Sequence, residues 1–458
     1  MKRFAEKTLQ GWIKKNNRKP LVIRGARQVG KTSLVRMFAK EQGLTLYEIN
    51  LERHPLMSDL FKTFDTNKIL QEIQFICKKG PIKKNSLLFF DEIQAIPVAI
   101  QSLRYFYEDL PELPVVAAGS LLEFALSKHN FSMPVGRIEY LFLHPVCFEE
   151  MLVALDETLL LKLIKEWTPN KTFPLSAHQR LLELLRIFLV VGGMPEALSI
   201  YIKNNDFQDS FDIQTLINET YKDDFSKYSS QTDLLRLHKI FDYVPIAIGE
   251  KFKYVRVDPD EQARVLSNAL DMLVKAQIIN CAFHTDASGL PLKASINRRI
   301  FKPYFLDCGL MNNICGINWI SPEQLSNADF INKGKIAEQF IAQHLSGMSK
   351  NNQKTVLTYW LREGRSSNAE LDFVSQFNQA IVPMEIKAGK SGSLKSLQQF
   401  VLEKKISFAI RFDMNPPSFQ HVSHNLNQKK VEFDLLSLPL YMVGQWQRIF
   451  SVFGVGPC

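Results

Sequence analysis

Short apolar runs alternate with amphipathic segments in the first third of the chain. The runs at 20–23, 87–90 and 115–118 are typical of strands that are buried on both faces of a sheet, and 45–50 is a further predicted strand. Residues 4–15 and 33–40 carry apolar positions at helical spacing. This alternation predicts an α/β fold built on a parallel sheet.

The pattern changes twice further along the chain. Leucine-rich helical spacing runs through 151–167 and 177–189, and a helix at 258–275 precedes strands at 276–284 and 300–306, the order of a winged helix. The last part alternates again, with a helix near 336–345 and strands at 369–374 and 381–387. In a chain of 458 residues we therefore expect four segments: an α/β domain at 1–150, a helical lid or connector at 151–232, a winged helix at 233–320 and a second α/β domain at 321–458.

The first predicted strand leads into a loop with the pattern G-x-x-x-x-G-K-[ST]. Its two glycines allow tight turns that aim backbone N–H groups inward, and the following helix adds the positive end of its dipole. Lys31 is expected to reach the β and γ phosphates of a nucleotide, and Thr32 to hold Mg2+. The loop thus predicts ATP and Mg2+ as cofactors, bound by Gly25, Ala26, Arg27, Gln28, Val29, Gly30, Lys31, Thr32 and Ser33.

Polar side chains follow two later strands of the same predicted sheet. Asp91 and Glu92 come after 87–90, at the edge where an open α/β sheet binds its ligand. Asp91 is expected to support the Mg2+ shell, and Glu92 to act as the catalytic base that polarises the attacking water. Ser120 follows the strand at 115–118, where its hydroxyl is expected to bond the γ phosphate or the water. Taken alone, each feature is also typical of a plain strand end or turn.

Taken together, these motifs resemble those of AAA-type P-loop ATP-binding proteins of bacteria and archaea. The residues that carry the likeness are, in chain order, Gly25 to Thr32, Phe90-Asp-Glu-Ile-Gln94, Ala118-Gly-Ser120, Gly136-Arg137, Leu143-His-Pro145 and Phe148-Glu-Glu150. The resemblance implies an AAA+ ATPase followed by a C-terminal domain of unknown function. It also implies a catalytic role for Arg137, as an arginine finger or as a phosphate sensor within its own subunit; a surface cation is the alternative.

Charged residues of the last segment fall on neighbouring predicted strands. Alternation places Glu370 and Asp372 on one face of 369–374, and Glu385 with Lys387 on the outer face of 381–387. This D-x(n)-E-x-K constellation resembles the restriction-endonuclease-like phosphodiesterases of the PD-(D/E)xK type, although Leu371 stands where those enzymes usually have proline.

The nuclease-like resemblance implies catalytic roles for Asp372, Glu385 and Lys387 at a Mg2+ site. Carboxylate oxygens suit this hard cation, and a lysine orients the attacking water or offsets charge on the phosphate. Glu338 matches the acidic residue that such nucleases often carry on their first helix, which makes Glu338, Asp372 and Glu385 the predicted metal ligands. An inactive fold that serves as a scaffold is the alternative.

Composition and charge narrow the class of protein. With 46% hydrophobic and 22% charged residues the chain is that of a globular protein, and its net charge of +9 permits an acidic partner such as DNA. Six scattered cysteines without a C-x-x-C pair indicate neither a zinc site nor a disulfide framework and fit a reducing cytoplasm. No run approaches the roughly 18 apolar residues of a membrane span, so we expect a cytoplasmic protein without a membrane partner.

Basic residues also cluster on the predicted wing of the winged helix. They are Lys293, Arg298, Arg299 and Lys302. Side chains of this type contact nucleic-acid phosphates in many proteins. A solvated hairpin and a protein-docking face are the alternatives.

Two functions therefore stay open. In the first, hydrolysis of ATP to ADP is coupled to a winged helix and a nuclease-like domain that act on DNA or another nucleic acid. In the second, ATP occupancy switches protein-docking modules, as in signalling ATPases, and the nuclease-like fold is catalytically inactive. A homo-oligomer or a protein partner is compatible with either function.

Overall fold

The computed structural model describes residues 1–120, 134, 136–226, 230–317, 334–348, 354–363, 368–387, 389, 394–426 and 428–453. The chain divides into two compact units. Among the described residues, the first unit holds Met1–Val146, Asp271–Ile278 and Lys354, and the second unit holds the remainder. The linker expected near 321–335 lies almost entirely outside the described residues.

The first unit is built on a five-stranded sheet whose described pairings are all parallel. Its strands are β1 (Leu21–Arg24), β2 (Thr45–Asn50), β3 (Ser86–Asp91), β4 (Val115–Gly119) and β5 (Glu139–Phe142), in the order β2-β3-β4-β1-β5. Its helices are α1 (Ala5–Ile13), α2 (Lys31–Glu41), α3 (Met57–Lys62), α4 (Thr66–Cys77) and α5 (Pro97–Asp109), with a 3-10 turn at Ile93–Ala95. The predicted α/β fold with a parallel sheet is confirmed.

The centre of this sheet is buried on both faces. Every residue of β3 and β4 is buried. Leu88 and Phe90 of β3 belong to one core with Ile73 of α4 and Phe106 of α5. Since β1, β3 and β4 run parallel, their carboxyl ends meet at one edge of the sheet, and the loops that carry the predicted nucleotide residues start there.

The second unit contains most of the helices. They are α6 (Phe148–Ala154), α7 (Thr158–Glu166), α8 (Leu175–Val191), α9 (Pro195–Asn204), α10 (Phe207–Ser226), α11 (Gln231–Tyr243), α12 (Ala263–Lys275), α13 (Cys308–Ile314), α14 (Gly334–Gly347), α15 (Lys395–Lys404) and α16 (Trp446–Val452). Shorter 3-10 turns lie at Tyr254–Arg256, Leu292–Ser295 and Leu440–Gln445. The unit boundary falls inside α12, after Leu270.

Two sheets complete the second unit. Its strands are β6 (Ile279–Thr285), β7 (Ile296–Phe305), β8 (Leu357–Arg362), β9 (Ala369–Leu371), β10 (Phe373–Phe377), β11 (Ala380–Ile386), β12 (Phe408–Asp413), β13 (Ser418–Leu426) and β14 (Lys429–Pro439). They form sheets in the orders β7-β6-β8-β9 and β10-β11-β12-β14-β13. The hairpin β6/β7 is antiparallel, as expected for a wing, but β6 also pairs with β8, so the hairpin is part of a larger sheet.

One predicted helix begins later than its cap signal suggests. The Asp258-Pro-Asp260 segment predicts a helix from 258, but α12 starts at Ala263. The carboxylate of Asp258 is engaged elsewhere, because it pairs with Lys239 and accepts the Asp260 N–H at 3.0 Å. Among the described residues, no helix is both long and apolar enough to cross a bilayer.

Contacts with Asp307 explain the two glycines of the Gly-Gly-Met-Pro element at 192–195. The Gly193 N–H donates to Oδ2 of Asp307 at 2.6 Å. Gly192 has φ of +73°, and a Cβ at this position would lie 2.1 Å from Oδ1 of Asp307. Asp307 also caps α13 and accepts the side-chain amide of Gln343 in α14 at 3.0 Å. A single buried carboxylate thus joins three segments of the second unit.

Candidate functional site

The phosphate-binding loop, residues 25–30, joins β1 to α2 in the first unit. Gln28 and Gly30 have φ of +63° and +92°, and such left-handed residues turn successive N–H groups toward one concave face. A Cβ at Gly25 would lie 2.4 Å from the carbonyl oxygen of Leu143, so only glycine fits there. The side chains of Ala26 and Val29 are buried in the core, and that of Ser33 is exposed on the first turn of α2.

Lys31 is the first residue of α2 and its side chain is buried. Its ammonium group donates to the carbonyl oxygens of Gly25 at 3.1 Å and Ala26 at 2.8 Å. Burial lowers the pKa of Lys31 to about 8, while Glu92 and Asp91 act in the opposite direction. Because two carbonyl oxygens compensate a buried ammonium only in part, this residue is suited to an anionic ligand.

Thr32 and Asp91 meet although they are 59 positions apart in sequence. The hydroxyl of Thr32 donates to Oδ2 of Asp91 at 3.0 Å. Burial, reinforced by the neighbouring Glu92, raises the pKa of Asp91, which indicates a carboxylate that a cation would stabilise. One hydroxyl and one carboxylate suit Mg2+, which usually keeps several waters and takes few protein ligands.

Glu92 lies directly after β3 in a left-handed conformation, with φ of +50°. Its Oε2 accepts the Gln94 amide at 2.5 Å and the Ser120 hydroxyl at 3.2 Å. Gly119 makes this arrangement possible, because a Cβ there would lie 2.3 Å from Oε1 of Gln94. The structure therefore brings the predicted base and Ser120 together. Gln94 stands in the Asp-Glu-Ile-Gln motif, but the sequence alone assigns it no role.

Arg137 forms an ion pair on the surface of the first unit. Its Nε lies 3.0 Å from Oε1 of Glu108, and its side chain is 43% exposed. The structure thus places Arg137 as the surface-cation alternative describes. A role as arginine finger or sensor stays a prediction.

Arg3 contacts the phosphate-binding loop and was not identified from the sequence. Its guanidinium donates to the carbonyl oxygens of Val29 at 2.9 Å and His144 at 2.6 Å, and its side chain is buried. These partners are 26 and 141 positions away, so no local pattern indicates the contact. Arg3 holds the back of the loop in place.

The predicted nuclease-like residues lie in the second unit around the junction of β9, β10 and β11. Asp372 separates β9 from β10, and its Oδ2 accepts the Ile386 N–H at 2.6 Å. Glu385 contacts Lys387 through a 2.5 Å ion pair of Oε1 with Nζ. Contrary to the expected outer position, the Glu385 side chain is buried, because it faces Asp372 rather than solvent.

Glu338 of α14 joins this cluster together with residues that the sequence did not assign to it. The Tyr304 hydroxyl donates to Oε2 of Glu338 at 3.1 Å, and Lys302 Nζ lies 3.7 Å from the same oxygen. Lys302 also pairs with Glu370. The predicted place of Lys302 on the wing surface is wrong: the inner half of β7 is buried, and the Lys302 side chain is buried with it.

Burial dominates the electrostatics of this acidic cluster. It raises the pKa of Glu338 to about 8 and that of Glu385 to about 7, and the negative charge of Asp372 adds to both shifts. Burial raises the pKa of Asp372 as well, against the opposing charge of Lys302. Within the described part of the chain, no three His, Cys, Asp or Glu side chains are grouped so that they could hold a metal ion. Glu338, Asp372 and Glu385 therefore do not fit a divalent cation in this arrangement.

The other basic residues of the predicted wing are exposed. Lys293, Arg298 and Arg299 lie on or just before the outer half of β7. The Arg298 guanidinium stacks over the Phe283 ring at 5.1 Å. Three exposed cations on one hairpin form a surface that an anionic partner would find accessible.

Comparison with protein-family models matches three consecutive parts of the chain. Residues 17–152 match an AAA domain. Residues 182–321 match a domain of unknown function (DUF8612), and residues 333–432 match another (DUF4143). A search among curated proteins found no significant match.

Several solved structures align with the chain at low similarity. The ORC2 protein of Aeropyrum pernix is 13% identical, with 68% of this chain and 92% of that chain covered and a TM-score of 0.33. The RuvB Holliday junction branch migration motor of Thermotoga maritima is 15% identical, with 60% and 87% covered and a TM-score of 0.29. A signal transduction ATPase with a tetratricopeptide repeat sensor from Pyrococcus horikoshii is 13% identical, with 72% and 46% covered and a TM-score of 0.24.

At these TM-scores the alignments do not establish that this chain shares the fold or the function of those proteins. The AAA-domain match is independent of them, and it spans the loop, β3 and β4 described above. The match over residues 17–152, together with the geometry of Lys31, Thr32 and Asp91, supports an AAA-type P-loop ATPase in the N-terminal part of the chain.

Proposed function

We propose that the protein binds ATP with Mg2+ and hydrolyses it to ADP. The observation that carries this proposal is the meeting of Thr32 and Asp91 at 3.0 Å beside the buried ammonium group of Lys31. A hydroxyl, a carboxylate and a lysine at the amino end of a helix are the groups that a metal-bound triphosphate requires.

Each residue of the site has a defined task in this proposal. Backbone N–H groups of the loop and the amino end of α2 bind the phosphates, and Lys31 exchanges its two carbonyl partners for phosphate oxygens. Thr32 and Asp91 would hold the Mg2+ ion, which offsets charge on the phosphates when it is bound. Glu92 orients the attacking water, and Ser120 bonds either that water or the γ phosphate.

The hydrogen bonds of Glu92 support its role as the base. Both described side-chain bonds, from Gln94 and Ser120, fall on Oε2. The other oxygen, Oε1, is then the acceptor for the water. Ser120 donates to the proposed base at 3.2 Å, so it is placed to bond either Glu92 or the γ phosphate.

Two substitutions test the ATPase proposal. Lys31→Ala should abolish ATP binding in a calorimetric titration with Mg2+, because the loop loses its only buried ammonium partner among the described residues. Glu92→Gln should keep ATP binding but lower turnover by about 10²- to 10⁴-fold, the range typical of a lost general base. Lys40→Ala, an exposed residue at the end of α2, is the matched control. Turnover of Glu92→Gln at the control level would refute the assignment of the base.

The second proposed activity is an action on nucleic acid by the C-terminal segments. We propose that 151–232 is a helical connector, 233–320 a winged helix and 321–458 a nuclease-like domain. The sequence of α11, α12, β6 and β7 supports the winged helix, and exposed Lys293, Arg298 and Arg299 support contact with phosphates. The charge of Asp372 acts on Glu385, and Lys387 pairs with Glu385, which supports the nuclease-like resemblance, although no three carboxylates among the described residues are grouped as metal ligands.

One observation favours the alternative, an ATP-dependent switch whose nuclease-like fold does not cut. Lys302 pairs with Glu338 and Glu370 inside the acidic cluster, so the protein itself supplies a positive charge beside these carboxylates. In this alternative the hairpin and the helices of the second unit dock a protein partner or a second copy of the chain. Arg137 of such a copy would then be available across the interface.

A cleavage assay separates the two functions. Plasmid, linear and single-stranded DNA are incubated with Mg2+ or Mn2+, with and without ATP, using wild type, Asp372→Ala and Lys387→Ala. Cleavage that disappears in both variants supports the nuclease. Cleavage that persists in them, or none with any substrate, removes it. DNA binding that weakens steeply with salt and with Arg298→Ala would support the nucleic-acid role even without cleavage.

A further inference from the structure

Gln94 is the middle residue of the short 3-10 turn Ile93–Ala95, which follows Glu92 directly. Its side chain is half-buried, and its amide donates to Oε2 of Glu92 at 2.5 Å. We propose that Gln94 is a positioning residue for ATP hydrolysis, which holds the carboxylate of Glu92 in the orientation that activates water. This inference rests on the proposed function, because it needs Glu92 to be the base.

The amide of Gln94 has a single favourable orientation. Its Nε2 faces a carboxylate oxygen of Glu92, and the same oxygen accepts the Ser120 hydroxyl at 3.2 Å. An amide turned over would place its own oxygen there, and an ionised carboxylate can only accept hydrogen bonds, so the two oxygens would repel each other. Gln94 therefore acts on Glu92 as a donor.

This orientation leaves the other end of the amide without a partner. Oε1 of Gln94 is buried, and among the described residues no group donates to it. Buried polar atoms without a partner are uncommon, because each one costs free energy. A glutamine that served only the structure of the turn would be expected to use both ends of its amide. The hydrogen bonding of this side chain is instead directed to Glu92.

Gly119 provides the room for the unpartnered oxygen of Gln94. It is the last residue of β4, and the whole strand is buried. A Cβ at position 119 would lie 2.3 Å from Oε1 of Gln94, whereas the next nearest atoms would lie 3.4 Å away. A larger residue at this position would therefore push the amide away from Glu92, and glycine allows the contact between Gln94 and Glu92 to form.

Two donors on one oxygen fix the carboxylate of Glu92 more completely than either donor alone. Gln94 approaches from the turn after β3, and Ser120 approaches from the end of the neighbouring strand β4. Rotation of the carboxylate would break both bonds, so Oε1 of Glu92 keeps a defined direction for the attacking water. If the Ser120 hydroxyl bonds the γ phosphate instead, Gln94 is the donor that still holds the base.

Steady-state ATP turnover with saturating Mg2+ tests this role. Gln94→Met keeps the length of the side chain but removes the donor. Its kcat should fall by about 10- to 100-fold, because a hydrogen bond to a charged group is lost. Its KM for ATP should change by less than about threefold, because none of the described contacts of Gln94 involves the phosphate-binding loop. Gln71→Met, at an exposed position of α4, is the matched control and should behave as wild type.

A double-mutant cycle shows whether Gln94 acts through Glu92. In a Glu92→Ala background the acceptor is absent, so adding Gln94→Met should lower the single-turnover rate of ATP hydrolysis by less than about twofold. A further loss as large as the one measured with Glu92 present would show that Gln94 acts on another group. That result would overturn the proposal.

Gly119→Ala displaces the same amide while Gln94 itself is unchanged. The φ of Gly119 lies outside the left-handed region, and at close range the added methyl group meets only the end of a flexible side chain. The thermal midpoint should therefore stay near that of wild type, while kcat falls as in Gln94→Met. In Gly119→Ala/Gln94→Ala the clashing group is gone, so kcat should equal that of Gln94→Ala.

Failure of this inference can be told from failure of the proposed function. A kcat of Gln94→Met at the level of Gln71→Met, or a kcat of Gly119→Ala at the level of wild type, would overturn the role of Gln94 and leave the ATPase function intact. A loss that appears in KM alone would also overturn it, because Gln94 would then contribute to ATP binding and not to the base. Absence of ATP turnover in wild type would overturn both proposals, since Glu92 would have no water to activate.

Discussion

Asp307→Asn tests the carboxylate that joins three segments of the second unit. Oδ1 of Asp307 accepts the N–H groups of Gly309 at 3.0 Å and Leu310 at 3.1 Å. Oδ2 accepts the Gly193 N–H at 2.6 Å and the Gln343 amide at 3.0 Å. Asparagine keeps one oxygen, which still caps α13, but it places an NH2 group against the two donors on the other side.

The magnitude follows from these two lost bonds. A buried donor that loses its acceptor costs about 1–3 kcal/mol, so two donors cost about 2–6 kcal/mol. Burial raises the pKa of Asp307, so a neutral side chain recovers part of the desolvation cost and the lower half of the range applies. Gln343 cannot simply turn its amide, because its Oε1 accepts the Cys308 N–H at 2.9 Å. We expect a loss of about 2–4 kcal/mol in the free energy of unfolding.

Differential scanning calorimetry measures this loss. For a unit of this size a kilocalorie corresponds to about 2–4 °C, so the transition of the second unit should move down by about 4–16 °C. Asp260→Asn, at an exposed position, is the control and should stay within about 0.5 kcal/mol of wild type. ATP binding should not change, since its site lies in the first unit. A shift of Asp307→Asn no larger than that of the control would refute the reasoning.

Three further predictions concern stability and the nucleotide loop. Gly192→Ala should lower the free energy of unfolding by at least about 2 kcal/mol, because the new side chain combines a positive φ with a Cβ 2.1 Å from Asp307. The midpoint of urea unfolding measures this loss. Burial lowers the pKa of His344 to about 4, and its Nε2 accepts the Phe148 N–H at 2.9 Å. The unfolded chain then binds the extra proton, so up to about 3 kcal/mol of stability is lost as the pH falls from 6.5 to 4; urea unfolding across this range should show the slope. Gly25→Ala should weaken ATP binding by at least tenfold, about 1.4 kcal/mol, because the loop must shift; a calorimetric titration measures it.

A control variant accompanies each of these three predictions. Gly11→Ala, in a helix with open space around its Cβ position, should not destabilise the protein, and a Gly192→Ala midpoint equal to it would contradict the clash. His344→Leu should reduce the slope between pH 4 and 6.5 without removing it, because burial also lowers the pKa of His144 to about 4; an unchanged slope would assign it to other groups. Gly43→Ala, a positive-φ glycine with open space, controls for the loop variant; equal ATP affinity of both would refute the close approach.

The nucleotide-binding part of the protein could be predicted from local sequence. The loop pattern, the four-residue run before Asp91 and the run before Ser120 each define a strand and the polar residues at its end. Parallel pairing brings strand ends to one edge, so sequence order alone is enough to expect Thr32, Asp91, Glu92 and Ser120 at one nucleotide site. The hydrogen bonds at 3.0 Å and 3.2 Å agree with that expectation.

The acidic cluster around Asp372 and the hydrogen bonds of Arg3 and Asp307 could not be predicted from local sequence, because they join distant segments. Strand alternation placed Glu385 on an outer face, and the predicted wing placed Lys302 there as well, but both are buried, because a local pattern cannot tell solvent from another layer of protein. Arg3, Asp307 and Lys302 each act on partners tens of residues away. Sequence by itself determined the strand ends and the phosphate loop of the first unit, since those are local steric and hydrogen-bonding preferences. Only the tertiary structure decided which charges are buried together, because burial and ion pairing depend on what the rest of the chain packs against them.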